Sequence, residues 1–480
     1  MRHPNPIGLL TTTAGGPVEI RDVNLLNTNL FSSTYFFDLF SHLTAERIPQ
    51  RVVHGKGIAA RGYFEVTNDV SKYTKADVFN GIGKKTPLLS RFSPAIQERG
   101  GTDVGREFRG FAIKFFTNEG NLDILNLHVP VFTVRQPVHF AMLVHTLNIR
   151  NPKTNLFNFE QQWDFIISRP TVYHVFLYLL SDFGIPDGYR KTDYFADHTF
   201  ELNNKDGDRY FAKFNFRTEQ GGAFLTSAEA ADIQATDLDY FARDLYNAIA
   251  ENNYPSWRLE MDVMSLHDIK HVNFDPFDVT RLWENGTYHT VNVGRVVLNE
   301  MPENQFRDSE QAIYNLNNLV PGIPGPVDVV YQSRQISYSD AHNYRVGHNN
   351  ENIEVNRPKY SKTYDRDGVP PVRNNMKDAP TYYPNSFNGP IPYVDESKPL
   401  ERIVLLQSNA VDLQHPADFY NIVLGTDAAK QRLADNIVTT LQQVKSPVIL
   451  KRVLRLLYLT DADLGERVET SYNLASSCRV

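Results

Sequence analysis

The sequence predicts an α+β protein: an antiparallel β-barrel preceded by an N-terminal arm and followed by a long irregular segment and a helical end. Three observations predict it. Between about residues 51 and 300, short runs rich in aromatic and β-branched residues recur, bounded by Gly, Asn or Pro, with helical stretches between them. From about 301 to 416 the patterning fades into Pro, Asn, Gly and Asp. From 417 onward apolar residues return at helical spacing.

In chain order, residues 1–50 read as an arm. Pro, Gly and Thr punctuate its start, and Leu30-Phe-Ser-Ser-Thr-Tyr-Phe-Phe-Asp-Leu-Phe-Ser41 is apolar enough to require a covering surface, such as a neighbouring subunit. Strands are predicted over Arg61–Thr67, Pro87–Ser93 and Phe108–Phe116. The pattern continues through Asn121–Val134, where Pro130 argues against a central strand. Arg209–Arg217 and Ser256–Val263 alternate with period two, as half-buried strands do. Helices are predicted over about 159–183 and 227–252, the second with Ser227 as N-cap. So long an irregular stretch as 301–416 is rarely idle in a compact protein, and the aromatics of Thr381–Phe387 oppose simple disorder. At the end, Leu433, Ile437, Val438 and Leu441 mark a helix over Asp427–Val444. Pro447 interrupts, and helical spacing resumes over Val448–Leu459 and Leu464–Leu474.

Composition narrows the function classes. Fifty-six acidic against forty-nine basic residues leave a net charge of −7, which disfavours a general nucleic-acid or anionic-membrane binder. The sole cysteine, Cys478, excludes an intrachain disulfide, fits a reducing compartment and reads as an exposed thiol with no activating partner. No apolar run approaches the ~18 residues of a membrane helix. The start, Met1-Arg-His-Pro-Asn-Pro, lacks an apolar signal core, and Ser-Cys-Arg-Val480 is not a Ser-Lys-Leu address, so a cytoplasmic location is the default. Asn285-Gly-Thr287 matches a glycosylation sequon that stays silent without secretion. Gly55-Lys-Gly57 misses the phosphate-loop patterns, and the fourteen histidines include no His-Glu-x-x-His pair, which leaves nucleotide and zinc chemistry little support.

The chemistry concentrates in Arg334-Gln-Ile-Ser-Tyr338-Ser-Asp340-Ala-His342. A spacing of four puts Arg334 and Tyr338 on one helical face. A guanidinium beside a phenol favours the phenolate, and tyrosinate is among the few side chains that ligate haem iron. Alone, the pair also fits an ordinary surface helix, just as His54 alone fits a structural histidine. Far upstream, Glu46-Arg-Ile-Pro-Gln-Arg51-Val-Val-His54-Gly-Lys-Gly57 resembles the distal-haem signature of the monofunctional haem catalases, and the Arg334–His342 stretch resembles their proximal tyrosine motif. Arg91-Phe-Ser93, Arg109-Gly-Phe-Ala-Ile-Lys114-Phe, Ile185-Pro-Asp-Gly188, Asn253-Tyr-Pro-Ser-Trp257 and Tyr382-Tyr-Pro-Asn-Ser-Phe387 are similar to further blocks of that family, in the same order. The resemblance covers nearly the whole chain.

It implies a catalase barrel divided as an arm (1–50), a haem-binding barrel domain (51–300), a wrapping segment carrying the proximal tyrosine (301–416) and a C-terminal helical domain (417–480). Between Asp22 and Arg51 the chain is longer than the family pattern, which marks part of the aromatic run as an insertion. The resemblance further implies haem b, decomposition of hydrogen peroxide to water and dioxygen, and a homotetramer. Tyr338 would be the iron ligand, kept ionised by Arg334. His54 would be the distal base that takes a proton from one peroxide oxygen and gives it to the other, with Ser93 fixing its orientation. Arg51, Arg91 and Arg345 match propionate-facing arginines, Val53, Phe132 and Phe140 match the apolar lining, and His342 is a further cofactor contact of the proximal motif.

Two features depart from the family. In Gly120-Asn-Leu-Asp123-Ile-Leu-Asn-Leu127-His128-Val-Pro130, Leu127 stands where the family carries a distal asparagine, and Asn126 or His128 reaches that place only if the register slips. The NADPH site is mixed: His174, Ser181, Arg217 and Trp283 match it, Tyr178 and Leu282 are mild changes, Phe183 replaces an arginine and Asn285 a histidine. NADPH binding is therefore doubtful. The alternative function is a diverged haem protein, acting as a peroxidase or on organic hydroperoxides, or binding haem without turnover.

Overall fold

Eight strands close on themselves. In the computed structural model β1 (Ile58–Val66), β2 (Lys85–Pro94), β3 (Arg109–Thr117) and β4 (Gly120–Leu127) form a meander. It continues through the two-residue β5 (Tyr194–Phe195) to β7 (Arg209–Thr218), β8 (Ser256–Ser265) and β9 (His289–Glu300). The last of these pairs back onto β1, and every pairing is antiparallel. Two short strands, β6 (Phe200–Asn203) and β10 (Gly325–Pro326), extend the sheet from β7. The model describes residues 8–23, 32–147, 151–368, 380–399, 401, 403, 405 and 412–477; Leu30, Phe31, residues 369–379 and Cys478 lie outside them.

The described residues form two compact units, Met1–Gln50 and Arg51–Val480. In the first, α1 (Ile20–Val23) is followed by α2 (Thr34–Ala45), whose N-cap Ser33 accepts from the Phe36 N–H at 3.2 Å. None of the α2 residues is buried, and Phe37, Leu39, Phe40 and Leu43 are exposed.

In the second unit, alternation along the strands makes the core. Phe92 of β2, Phe111, Ile113 and Phe115 of β3, Phe214 and Phe216 of β7 and Trp257, Leu259 and Met261 of β8 fill the barrel, all shielded from solvent. The rings of Phe92 and Phe111 stack at 4.5 Å. On the opposite strand face Ala59 and Leu89 pack with Ala312, Tyr314 and Val355 of the chain that follows β9. One layer combines α4 (Phe159–Ser168) and α5 (Tyr173–Leu180) with α11 (Asp427–Leu441), α12 (Pro447–Thr460) and α13 (Ala462–Ser477) in a second apolar cluster. The helix predicted over 159–183 is interrupted at Pro170, which lacks a helical N–H donor. The one predicted over 227–252 is two helices, α6 (Ser227–Gln234) and α7 (Tyr240–Ala250). The N-cap of α6 is Thr226, not Ser227: Thr226 and Glu229 form a reciprocal capping box that starts the helix one residue earlier. Among the described residues five helices fall outside the sequence-based reading: α1 and α2 in the arm, α3 (Pro137–Leu147), α8 (Leu266–His271) and α10 (Gln414–Asp418). The Arg334–His342 stretch lies in α9 (Val329–Val346), whose N-cap Asp328 accepts from the Tyr331 N–H at 2.8 Å.

A buried ion pair ties the 301–416 segment to the barrel. Lys114 on β3 and Asp123 on β4 face each other across the ladder at 2.6 Å, both wholly buried. Asp123 also accepts from the Asn315 backbone at 2.7 Å and the Asn318 side chain at 2.9 Å. Removing one member of such a pair strands the other charge. Asp123→Ala should therefore cost about 3–5 kcal/mol, read as a lower midpoint of urea unfolding; an unchanged midpoint would show that Lys114 finds another partner.

Candidate active site

A cavity of about 300 Å³ lies between the outer face of β2–β4, the Arg51–His54 loop, α3 and α9. Strand pairing builds its barrel wall. Arg91 opposes Ala112, Ser93 opposes Gly110, Gly110 opposes Leu127 and Ala112 opposes Leu125, so Arg91, Ser93, Ala112, Leu125 and Leu127 share the face that lines the cavity. Helical spacing builds another wall: Arg334, Tyr338, Ala341, His342 and Arg345 recur along one side of α9. Val53, Phe132 and Phe140 complete the apolar lining. All twelve residues singled out in the sequence thus border one space.

His54 is held from three directions. Its Nδ1 lies 2.9 Å from Ser93 Oγ, its backbone N–H donates to the Ala95 carbonyl at 2.8 Å, and its own carbonyl accepts from Arg91 Nη1 at 3.0 Å. These contacts keep it in the left-handed region, φ 63°, which few non-glycine residues adopt without cause. Gly110 makes the close approach possible, since a Cβ there would come within 2.8 Å of His54 Cε1. Enclosure by the cavity walls, more than the charge of Arg91, lowers the imidazole to about 3, so it is neutral and able to accept a proton.

The register is not slipped. Leu127 presents an alkyl side chain to the cavity. Asn126 belongs to the other strand face, and its amide donates to the Phe111 carbonyl at 2.7 Å and that of Ile124 at 3.3 Å. His128 is used elsewhere, accepting from the Arg109 N–H at 2.9 Å and donating to the Phe183 carbonyl at 2.8 Å.

Behind α9 runs a chain of polar contacts that begins at its cap. Asp328 Oδ2 accepts from His198 Nδ1 at 2.9 Å, His198 Nε2 accepts from Arg334 Nη1 at 2.6 Å, and Arg334 Nη2 donates to the Tyr338 hydroxyl at 3.3 Å. Burial alone would raise the Asp328 carboxyl; His198 and the Tyr331 N–H hold it below its usual value. Enclosure would lower Arg334, but the Tyr338 oxygen, together with Asp197 and Tyr331, raises it on balance. The guanidinium also lies over the Phe132 ring at 4.9 Å.

At one end of the cavity Arg51, Arg91 and Arg345 converge on a single carboxylate, Glu310, at 3.9, 3.7 and 4.0 Å. Three guanidiniums thus share this one carboxylate. Burial and mutual repulsion lower Arg51. Its Nη1, the Tyr314 hydroxyl and His342 Nδ1 are buried without hydrogen-bond partners among the described residues. An anionic ligand fits this end.

The sequence-based reading omitted His198, Asp328, Glu310, Tyr314, Thr133 and Asp197. For Asp328 a signal existed, an acidic residue immediately before an 18-residue helix. The others carry no local pattern, because their partners lie far off in the chain.

Comparison with known proteins adds an independent line. A family model described as Catalase matches residues 11–389, and one described as Catalase-related immune-responsive matches residues 408–471. The chain is 40% identical to a catalase from Methanosarcina barkeri (strain Fusaro / DSM 804), an alignment spanning 97% of this chain and 91% of the relative. It is 36% identical to a peroxisomal catalase from Toxoplasma gondii, over 98% and 96% of the two chains. Among solved structures it matches catalase A from Saccharomyces cerevisiae with a TM-score of 0.89 at 33% identity, over 97% and 99% of the chains. A bacterial catalase matches with a TM-score of 0.91 at 32% identity, over 99% and 97%.

Proposed function

We propose that this chain, which belongs to the catalase family, decomposes hydrogen peroxide to water and dioxygen on a haem held in the cavity, at a rate weakened by Leu127. The observation that carries the reading is the pairing of a Tyr338–Arg334 wall with a neutral His54 wall around one enclosed space. The residues present fit the cofactor: the cluster of Arg51, Arg91 and Arg345 around Glu310 suits anionic propionates, and the phenol–guanidinium pair matches a ferric iron ligand. When bound, the haem supplies the redox chemistry, storing and returning two oxidising equivalents. Arg334 acts as a positioning residue that donates to the Tyr338 oxygen and orients it. His54 accepts a proton from one peroxide oxygen and delivers it to the other, while Ser93 holds the ring. Val53, Phe132 and Phe140 keep water from competing at the site.

Leu127 can neither donate nor accept. A neutral hydrogen bond contributes about 0.5–1.5 kcal/mol net in ordinary settings, but a preorganised donor at a reacting centre is worth nearer ~3 kcal/mol, roughly a hundredfold in rate. The same substitution favours a second reading, turnover of an organic hydroperoxide, because Leu127 continues an apolar wall made by Phe108, Leu143, Val144 and Leu147.

The region matching the family's NADPH site supports weak or absent binding. Arg217 is already paired with Asp193 at 3.0 Å and Glu260 at 3.3 Å. Phe183 packs edge-on against Tyr178 and Phe224, at 5.5 and 4.9 Å, where a phosphate would need a cation. The assembly we propose is a homotetramer, on the strength of the family and of the exposed aromatic face of α2. The purified protein should sediment as a tetramer at micromolar concentration and release no stoichiometric NADPH on denaturation; a stable monomer, or one NADPH per chain, would count against these two readings respectively.

Three variants test the site. Tyr338→Phe should lose haem or its tyrosinate-ligated spectrum, and an unchanged spectrum would remove Tyr338 as the ligand. His54→Ala should abolish oxygen release. Leu127→Asn should raise it severalfold; an unchanged or lower rate would mean that this position does not limit turnover of hydrogen peroxide.

The pH profile follows from His54. The active form is the neutral base, and its pKa is depressed to about 3. Protonation therefore removes activity only as pH falls toward that value, and oxygen release should stay level from about pH 8 to pH 5. A midpoint near the ordinary histidine value of about 6.5 would show that His54 is not the base.

A further inference from the structure

Two buried polar atoms of the cavity play no part in the chemistry above. Among the described residues Asp197 Oδ1 and Thr133 Oγ1 have no hydrogen-bond partner, although their residues are only 4% and 7% exposed and both line the cavity. A buried polar atom without a partner is costly, and a native structure keeps it for a reason. Asp197 is also held in the left-handed region, φ 62°, which among the described non-glycine residues of the cavity only His54 shares. The two segments pass close together at the cavity wall, since the rings of their neighbours Phe132 and His198 lie 6.0 Å apart.

The haem does not account for these atoms. Its acidic groups are matched at the arginine end, and the rest of its periphery is hydrocarbon that offers neither oxygen a donor. Burial holds the Asp197 carboxyl well above the usual carboxylate range, against the pull of Arg334 and Lys213. The same cavity also carries the apolar side chains Leu127, Phe140, Leu143, Val144 and Leu147. A polar pair in an apolar chamber recognises a molecule with an apolar body and one hydrogen-bonding end.

We propose that Asp197 and Thr133 form a binding subsite for an organic molecule whose apolar body carries a hydrogen-bond-donating head, a hydroxyl or an amine. This rests on the reading of the cavity as a haem site, which the molecule would share. It gives the alternative substrate class a specific recognition element: the head is held by Asp197 and Thr133 and the body by the Leu127–Leu147 wall.

The test is a calorimetric titration of the chain as purified with three probes of matched size: 3-phenylpropan-1-ol, 3-phenylpropylamine and n-butylbenzene. The absorption spectrum is recorded first, so absence of haem is seen separately and counts against the cavity reading, while the subsite is judged from the ratio of affinities. At least one donor probe should bind tenfold or more tightly than n-butylbenzene, and the better of the two identifies the head. That ratio should fall toward one in Thr133→Val, which keeps the side-chain shape, and in Asp197→Gly, which keeps the left-handed backbone. Equal binding of n-butylbenzene, or a ratio that survives both substitutions, overturns the proposal. So does loss of haem from Asp197→Gly with an unchanged ratio in Thr133→Val, since it would set the carboxyl against the cofactor instead.

Discussion

The register between β3 and β4 is the constraint on which the site depends. The pairing runs from Gly110 opposite Leu127 to Thr117 opposite Gly120, closed by the two-residue turn Asn118-Glu119. Gly120 takes φ +114° there, a backbone state that a side chain would strain. A slip of β4 by one residue would turn Leu122 and Ile124 out of the barrel core. Each such buried side chain is worth roughly 1.5–3 kcal/mol, and Lys114 would lose Asp123. The core therefore decides, through β4, that a leucine and not the neighbouring asparagine faces the cavity.

The same face carries the distal machinery. Ser93 and Gly110 are cross-strand partners, so the hydroxyl that holds His54 and the missing side chain that admits its ring are set by one ladder rung. Arg91, two residues before Ser93 on the same strand, holds the His54 carbonyl. A left-handed histidine costs on the order of 1–2 kcal/mol, and these contacts are what hold it. Gly57 belongs to the same arrangement, for a Cβ there would lie 2.4 Å from the Arg91 guanidinium.

Helix α9 organises the charges from the other side. Its cap, Asp328, both satisfies the Tyr331 N–H and anchors His198, so the start of the helix and the orientation of Arg334 are one structural event. Further along, His342 and Arg345 bring the helix to Glu310 and the other arginines. The cavity thus has a cationic end, a phenol–guanidinium floor supported by a buried carboxylate, and an apolar wall, with Thr133 and Asp197 as further polar groups in its lining. These are different electrostatic environments within a few side-chain lengths, which is how one small space separates anchoring, proton transfer and substrate recognition.

Local pattern and the family's motifs were enough to determine the strand-rich barrel, the helical end, the tyrosine helix and the twelve cavity residues, because period, caps and ordered motifs are properties of neighbouring residues. They were also enough to mark Leu127 as a departure. What they misplaced was local competition: Pro170 breaks one helix, and the Thr226–Glu229 box makes Thr226 the cap of another, with Ser227 its first residue. The partners of the site residues were decided only in three dimensions. Arg334 meets His198 136 positions away, and Arg51 meets Ala312 261 positions away. Barrel closure and the course of the 301–416 segment create those contacts, so no spacing in the chain announces them. For the same reason the unmatched oxygens of Asp197 and Thr133 became visible only in the folded protein, since a missing partner can be recognised only once every neighbour is in place.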